Sequence, residues 1–371
     1  MKKKIKVFCR ISSNADCGVG WYRQVLPLLE LERQGCIELK IKHFTWGVHQ
    51  DPEQRKAIDV SEAEHQQLFA WCDVALFSRN DTPHYIAYLA MGVDFFKKPV
   101  ILDYDDCVWH TRPVNPGYRT FHPNSDYLKW NLEACKYVSG LSTSTEFLKN
   151  EYKDRVKDIF VLPNSLDMEE RDKINKLDLS TAKLYNKKEG EFRIIWSGSA
   201  SHYENLKLVM PALRDIMTNH PHVTFYYTGL FGDLFQDFPK EAQQRIVPVP
   251  FVDLRKYGRM LREMHGDIAI APLTDCNFNR AKSNLRVLEY GSVGYPVVAS
   301  DVDPYQIFGP KEVVLVKAEG WYHAIENLMF DKKKRLSLGK NLYKRVKKDF
   351  NIKKNCKLWL QMFRSQMKKM K

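Results

Sequence analysis

Two residue groups in the second half of the sequence could do chemistry together. Ser197-Gly198-Ser199-Ala200-Ser201-His202 follows a strand-like run at 192–196 and precedes a helical stretch. Small residues at such a turn let a ligand approach the backbone, and the free N–H groups of a helix start favour an anion. Further on, a polar loop runs through Asn279-Arg280-Ala281-Lys282-Ser283-Asn284 into the helical pattern Leu285–Ser292, which carries Glu289. Lys282 and this second helix start can meet phosphate oxygens, while Glu289 can accept from a pair of ribose hydroxyls. A cation, a helix start and then a carboxylate form an order suited to a nucleoside diphosphate.

The first half offers two weaker groups. Gly18 and Gly20 lie between the first strand and the first helix, where glycines let the backbone approach a phosphate or sugar. The dinucleotide fingerprint needs a third glycine where Arg23 stands, which argues against a nicotinamide-type site. A tight turn without a ligand fits the same residues. Asp103, Asp105 and Asp106 end the apolar run Val100–Tyr104, at the edge where open α/β sheets bind ligands. Asp103 and Asp105 project to one side in extended geometry and could orient a hydroxyl or hold a divalent cation; capping of the next turn is the alternative. His110 follows in Trp-His-Thr-Arg-Pro and could share that site.

These residues need a scaffold, and the pattern supplies one. Short apolar runs at 5–11, 37–44, 73–78, 100–104, 140–144 and 158–162 alternate with helical spacing, which predicts βαβ units and a parallel sheet. Residues 167–190 are charged and lack apolar periodicity, so they read as a linker. A second series follows, with strands at 192–196, 223–228, 246–250, 268–271 and 297–300 and helices between and after them. The expected architecture is α/β, two tandem Rossmann-like doubly wound domains: 1–166, then 191–349, with 350–371 as a basic C-terminal helix. The 371 residues, 44% hydrophobic and 28% charged, suit a two-domain globular chain and exclude a disordered or collagen-like one. No run approaches the length of a membrane span, and the eight cysteines show no metal-ligand spacing, which fits reduced thiols and a cytoplasmic setting. The net charge of +13 is concentrated at the end: residues 331–371 hold 16 Lys or Arg and two acids. Such a segment can meet DNA or an anionic membrane surface, or simply remain a solvated face.

The motifs SGLSTSTEFLKNEY, DIFVLPNSLD, IIWSGSASHYENL and IAIAPL…NRAKSNLRVLEYGSVGYPVVASDV together resemble the GT-B fold glycosyltransferases, and in particular their family-four, retaining, nucleotide-sugar-dependent class. The resemblance implies a sugar moved from a UDP- or GDP-type donor to a hydroxyl, with no obligatory metal. It makes Glu289 the ribose-binding glutamate. The partner glutamate of that family falls at Ala281, with Asp275 as a possible substitute, and Lys282 takes the diphosphate role usually held by a basic pair. Asp103, Asp105 and His110 would then face the acceptor as the catalytic side. Gly18, Gly20, Arg23, Ser197, Gly198, Ser199, His202, Asp275, Asn279, Lys282, Ser283 and Glu289 would form the donor side. The acceptor could be a saccharide, a lipid, a small molecule or a hydroxymethylated base in phage DNA; a nucleotide-sugar epimerase of the same fold is the alternative.

Overall fold

Runs such as VALFS and IAIA are apolar on both faces, so each must be covered on both sides, as the strands of parallel sheets are. In the computed structural model, which describes residues 3–11, 18–43, 61–79, 83–229 and 232–370, they form two parallel sheets. The first contains β1 (Ile5–Ile11), β2 (Ile37–His43), β3 (Val74–Ser78), β4 (Val100–Tyr104), β5 (Gly140–Thr143) and β6 (Ile159–Val161), in the order β2-β1-β3-β4-β5-β6. The second contains β7 (Phe192–Ser197), β8 (Val223–Thr228), β9 (Ile246–Val249), β10 (Ile268–Ala271), β11 (Val297–Ser300) and β12 (Val313–Val316), in the order β12-β11-β10-β7-β8-β9. This is the expected doubly wound pair. β12, Val-Val-Leu-Val, was not predicted, although its run is wholly apolar. Residue 44 of the second predicted strand lies outside the described residues.

The stretch read as a linker contains the helix Met168–Asn175, which its charge-rich sequence concealed. Asp167 caps it by accepting from the Glu169 and Glu170 N–H groups, and Met168, Arg171 and Ile174 are buried. Arg171 lies against Gly258 on the helix Leu254–Glu263, where a Cβ would come within 1.2 Å of its guanidinium. Only glycine leaves that room.

The chain passes between the two sheets twice, and the passages are bonded to each other. Leu166 N–H donates to Phe350 C=O at 2.8 Å, and Ile352 N–H donates to Leu166 C=O at 2.9 Å. The final helix, Ile352–Lys369, then lies on the helix Leu26–Arg33 of the first sheet, and Trp359 Nε1 donates to Arg23 C=O at 3.2 Å. One apolar cluster runs from Val7 and Leu28 through Trp359 and Phe363 to Leu342 and Leu288, joining both halves. Two further clusters fill the outer faces of the sheets. Among the described residues, no helix is long and apolar enough to cross a membrane.

Candidate functional site

The C-terminal ends of both sheets line a cavity of about 420 Å³. From the second domain come the loop after β7, Thr228 at the end of β8, Phe251 and Val252 beyond β9, and Lys282, Ser283, Leu285, Arg286 and Glu289. The first domain contributes Gly18, Val19, Arg23, Asp105, Asp106 and Asn164.

The loop after β7 is held by side-chain hydroxyls. Ser197 N–H donates to Tyr290 Oη at 2.8 Å, Tyr257 Oη donates to Ser197 Oγ at 2.9 Å, and Gly198 N–H donates to Thr228 Oγ1 at 3.3 Å. A Cβ at Gly198 would come within 2.6 Å of the Trp196 ring and 2.9 Å of Arg286 Nη2. Glycine is therefore needed there so that Arg286 can lie beside the loop. The Arg286 guanidinium sits 5.3 Å from the Trp196 ring centroid, and its Nη1 is buried with no hydrogen-bond partner among the described residues. A buried cationic donor left unpaired is costly, and this one borders the cavity.

Glu289 is 8% exposed, and its Oε1 accepts from Tyr22 Oη of the first domain at 2.9 Å. Burial raises its carboxyl above the ordinary range, against the pull of Tyr22, Arg171 and Arg286. His202 is pushed well below its ordinary value, first by burial and then by the charges of Arg286 and Lys282, so its ring is neutral. Lys282 Nζ pairs with Asp106 at 3.2 Å across the cleft and lies 4.5 Å from the Phe278 ring centroid. Burial would raise the Asp106 carboxyl, but Lys282 and Arg79 outweigh it and hold it low. Its neighbour Asp105 is raised to about 6 by burial and then by the charge of Asp106.

The structure thus brings Gly18, Arg23, Asp105, Ser197, Gly198, Ser199, His202, Lys282, Ser283 and Glu289 to one cavity. Five of the residues expected there stand elsewhere. Gly20 is buried in the first helix without reaching the cavity wall. Asp103 faces Arg23, which grips both its oxygens at 2.7 and 3.1 Å; Ser142 Oγ donates to Oδ1 at 2.6 Å. Arg23 and Asp103 are a buried structural pair. His110 lies in a separate cluster, with Nε2 2.9 Å from Glu151 Oε2, which also accepts from Trp109 Nε1 at 3.3 Å and the Cys107 thiol at 3.7 Å. Cys107, His110 and Glu151 are close enough to hold a metal ion, yet three donors converging on one carboxylate oxygen account for the cluster. Asp275 is exposed and paired with Arg280 at 2.6 Å, and it is not among the residues lining the cavity. Asn279 is buried beneath His202, bonded to Asn205 and Thr274.

Sequence reasoning missed Arg286, Tyr257 and the role of Tyr22. Arg286 was detectable as a cation in the first turn of the helix Leu285–Ser292, whose start is expected to face phosphate oxygens. Tyr257 and Tyr22 meet Ser197 and Glu289 only through tertiary structure.

The chain resembles solved structures over almost its whole length. Anabaena HepE, solved in complex with UDP-glucose, aligns with 97% of this chain and 100% of its own at a TM-score of 0.67 and 15% identity. An α,α-trehalose 6-phosphate synthase from Burkholderia multivorans aligns with 99% of this chain and 98% of its own, at a TM-score of 0.62 and 10% identity. S. aureus TarM, solved with UDP among its ligands, aligns with 78% of this chain and 55% of its own at 0.55 and 14%. This chain has the GT-B fold. Neither a protein-family model nor a curated protein matches the sequence. In this GT-B chain the cavity lies at the C-terminal strand edges, the place the fold class reserves for ligands.

Proposed function

We propose that the cavity binds a nucleoside diphosphate sugar of the UDP type and that the protein is a glycosyltransferase moving the sugar to an acceptor hydroxyl. The observation that carries this reading is Arg286: a cation with a buried, unpaired Nη1 beside a small-residue loop, in one cavity with Lys282 and Glu289. The similar folds of HepE and TarM, solved with UDP compounds, support the choice of nucleotide. Glu289 receives the ribose hydroxyls, and the exposed apolar side chains of Phe251 and Val252 at the cavity rim offer a surface for the base.

When the bond from the anomeric carbon to the diphosphate breaks, the electron pair leaves with the phosphate oxygen. Arg286, Lys282 and the loop after β7 then offset the charge that develops there. The acceptor oxygen bonds to the anomeric carbon, and its proton passes to the departing phosphate on the same face, which gives the retention that the family resemblance implies. Asp105, across the cavity, orients the acceptor through another of its hydroxyls. The test is a panel of nucleotide sugars scored by thermal shift and transfer, with the anomeric configuration of the product read by NMR. No stabilisation by any nucleotide sugar, or a free sugar product formed without an acceptor, would overturn the reading.

A polyanionic acceptor, such as DNA with hydroxymethylated bases or an anionic membrane surface, is a second reading that the basic helix favours. Lys332, Lys333, Lys334, Lys340, Lys344 and Lys348 are all exposed on the helix Lys332–Asp349 and face solvent. An acceptor screen with modified DNA, anionic vesicles and neutral saccharides distinguishes the sources.

A further inference from the structure

The proton position on His202 follows from a chain of hydrogen bonds behind it. Asn205 lies one helical turn on from His202 and is 2% exposed. Its Oδ1 accepts from the Thr274 backbone N–H at 3.0 Å, from Thr274 Oγ1 at 3.1 Å and from Asn279 Nδ2 at 2.8 Å. A backbone N–H can only donate, so the oxygen of Asn205 must face Thr274, and its amide nitrogen must face His202. That nitrogen is 3.0 Å from His202 Nδ1, which therefore accepts. With no proton on Nδ1, the proton of the ring is on Nε2 and the ring is neutral. His202 lines the cavity, and no hydrogen bond among the described residues uses Nε2.

We infer that Asn205 is a positioning residue, locked by Thr274 and Asn279, and that it presents His202 Nε2–H as a neutral donor to the diphosphate oxygens of the sugar donor. This rests on the nucleotide-sugar reading above. The device has a clear physical use: Arg286 and Lys282 already face the site, and a third cation beside them would be repelled. A neutral ring with a fixed proton adds a donor without adding charge. The same network accounts for Asn279, which acts here through Asn205 and not by touching the ligand.

Long-range proton–nitrogen NMR on the full-length protein, without nucleotide, reads the tautomer directly. The expected result is an unprotonated Nδ1 and a protonated Nε2 at neutral pH. The opposite tautomer, a rapid mixture or a doubly protonated ring would overturn the inference, and no variant has to fold for this measurement. Asn205→Asp replaces the amide donor with an acceptor and should place a proton on Nδ1; an unchanged tautomer in that variant would also overturn the positioning role. Titration with UDP tests the ligand side. His202→Phe should weaken UDP binding by about tenfold or more, as for a lost hydrogen bond to a charged group, while His202→Gln, which keeps an N–H donor, retains most of it. Equal affinities in both variants would show that Nε2–H does not reach the diphosphate. Failure of the intact protein to bind UDP or any other nucleoside diphosphate would instead overturn the donor-site reading, leaving the tautomer to be judged by NMR.

Discussion

Tyr22 of the first domain donates its hydroxyl proton to Glu289 of the second at 2.9 Å, so the carboxylate proposed to receive ribose hydroxyls already has a partner inside the protein. A nucleotide would have to exchange this bond for its own. Tyr22→Phe should therefore strengthen UDP binding several-fold while lowering folding stability by about 1.5–3 kcal/mol, the usual range for a hydrogen bond to a charged group. Calorimetric titration and urea unfolding read the two effects separately. Weaker UDP binding in Tyr22→Phe would show that tyrosine and ribose do not compete.

Arg286 and Lys282 differ in what each already holds. Lys282 is paired with Asp106, whereas Arg286 keeps an unpaired buried nitrogen. Arg286→Gln is expected to weaken UDP binding by about tenfold or more, with stability unchanged or raised because an unsatisfied buried donor is removed. Lys282→Ala should have the smaller effect on UDP and should lower stability, since it leaves the Asp106 carboxylate unpaired. A reversed order of UDP affinities would move the diphosphate toward Asp106.

Asp105 titrates at about 6 against an ordinary 3.8, raised by burial and then by Asp106. Because the folded protein binds this proton more tightly than the unfolded chain, the contribution of Asp105 to stability is present below its ordinary value and is lost as pH rises through about 6. As an acceptor-orienting carboxylate it works when ionised, so the transfer rate should rise across the same interval. Asp105→Asn should remove that limb of the profile and lower transfer while sparing UDP affinity. A profile with the same limb in Asp105→Asn would assign the ionisation to another group.

Breaking the Arg23–Asp103 pair should be far more damaging than replacing it. Both side chains are buried, and either Arg23→Met or Asp103→Leu alone leaves an uncompensated charge, at a cost of about 3–5 kcal/mol. The double substitution should recover a large part of that loss in a thermodynamic cycle measured by denaturant unfolding. Additive losses would mean that the pair is not energetically coupled.

The basic helices make a prediction about salt. If the acceptor is a polyanion, the acceptor Michaelis constant should increase steeply with ionic strength, because neutralising each phosphate releases counterions. Replacing Lys332, Lys333 and Lys334 together with Gln should flatten that slope. A response to salt that is flat for DNA, anionic vesicles and simple sugars alike would reduce the segment to a solvated surface.

Architecture was easier to read from the chain than the site was. Buried parallel strands announce themselves through apolar runs such as VALFS and IAIA, and eleven of the twelve strands were legible from such runs or from alternation, as in β2; β12, Val-Val-Leu-Val, was overlooked although its run is wholly apolar. The helix Met168–Asn175 was hidden because only its Met168, Arg171 and Ile174 are buried and one of them is charged. At the site, Ser197, Gly198 and Lys282 were legible because each sits at a strand end or just before a helix start, and Glu289 because it is the carboxylate of the helix that follows Lys282. Asp103 and Asp105 were not separable by sequence: alternation gives them the same side, and only the position of Arg23, eighty residues earlier, decides that Asp103 serves the fold. Asn279 was visible as a polar residue near Lys282, yet its role depends on Asn205, which sequence spacing does not connect to it.

The return of the last helix has a consequence for how the chain is made. Trp359, Met362 and Phe363 are fully buried beside Leu28 and Val7 of the first sheet. Those partners are synthesised long before Ile352–Lys369, so this part of their core closes only through contacts of high sequence separation, the kind that form slowly. A chain halted at Asp349 would leave the helix Leu26–Arg33 with its apolar face in water, whatever the state of the second sheet. Completion of the first domain thus waits on residues 352–369, and a truncation that removes them should be read as a lesion of the N-terminal half.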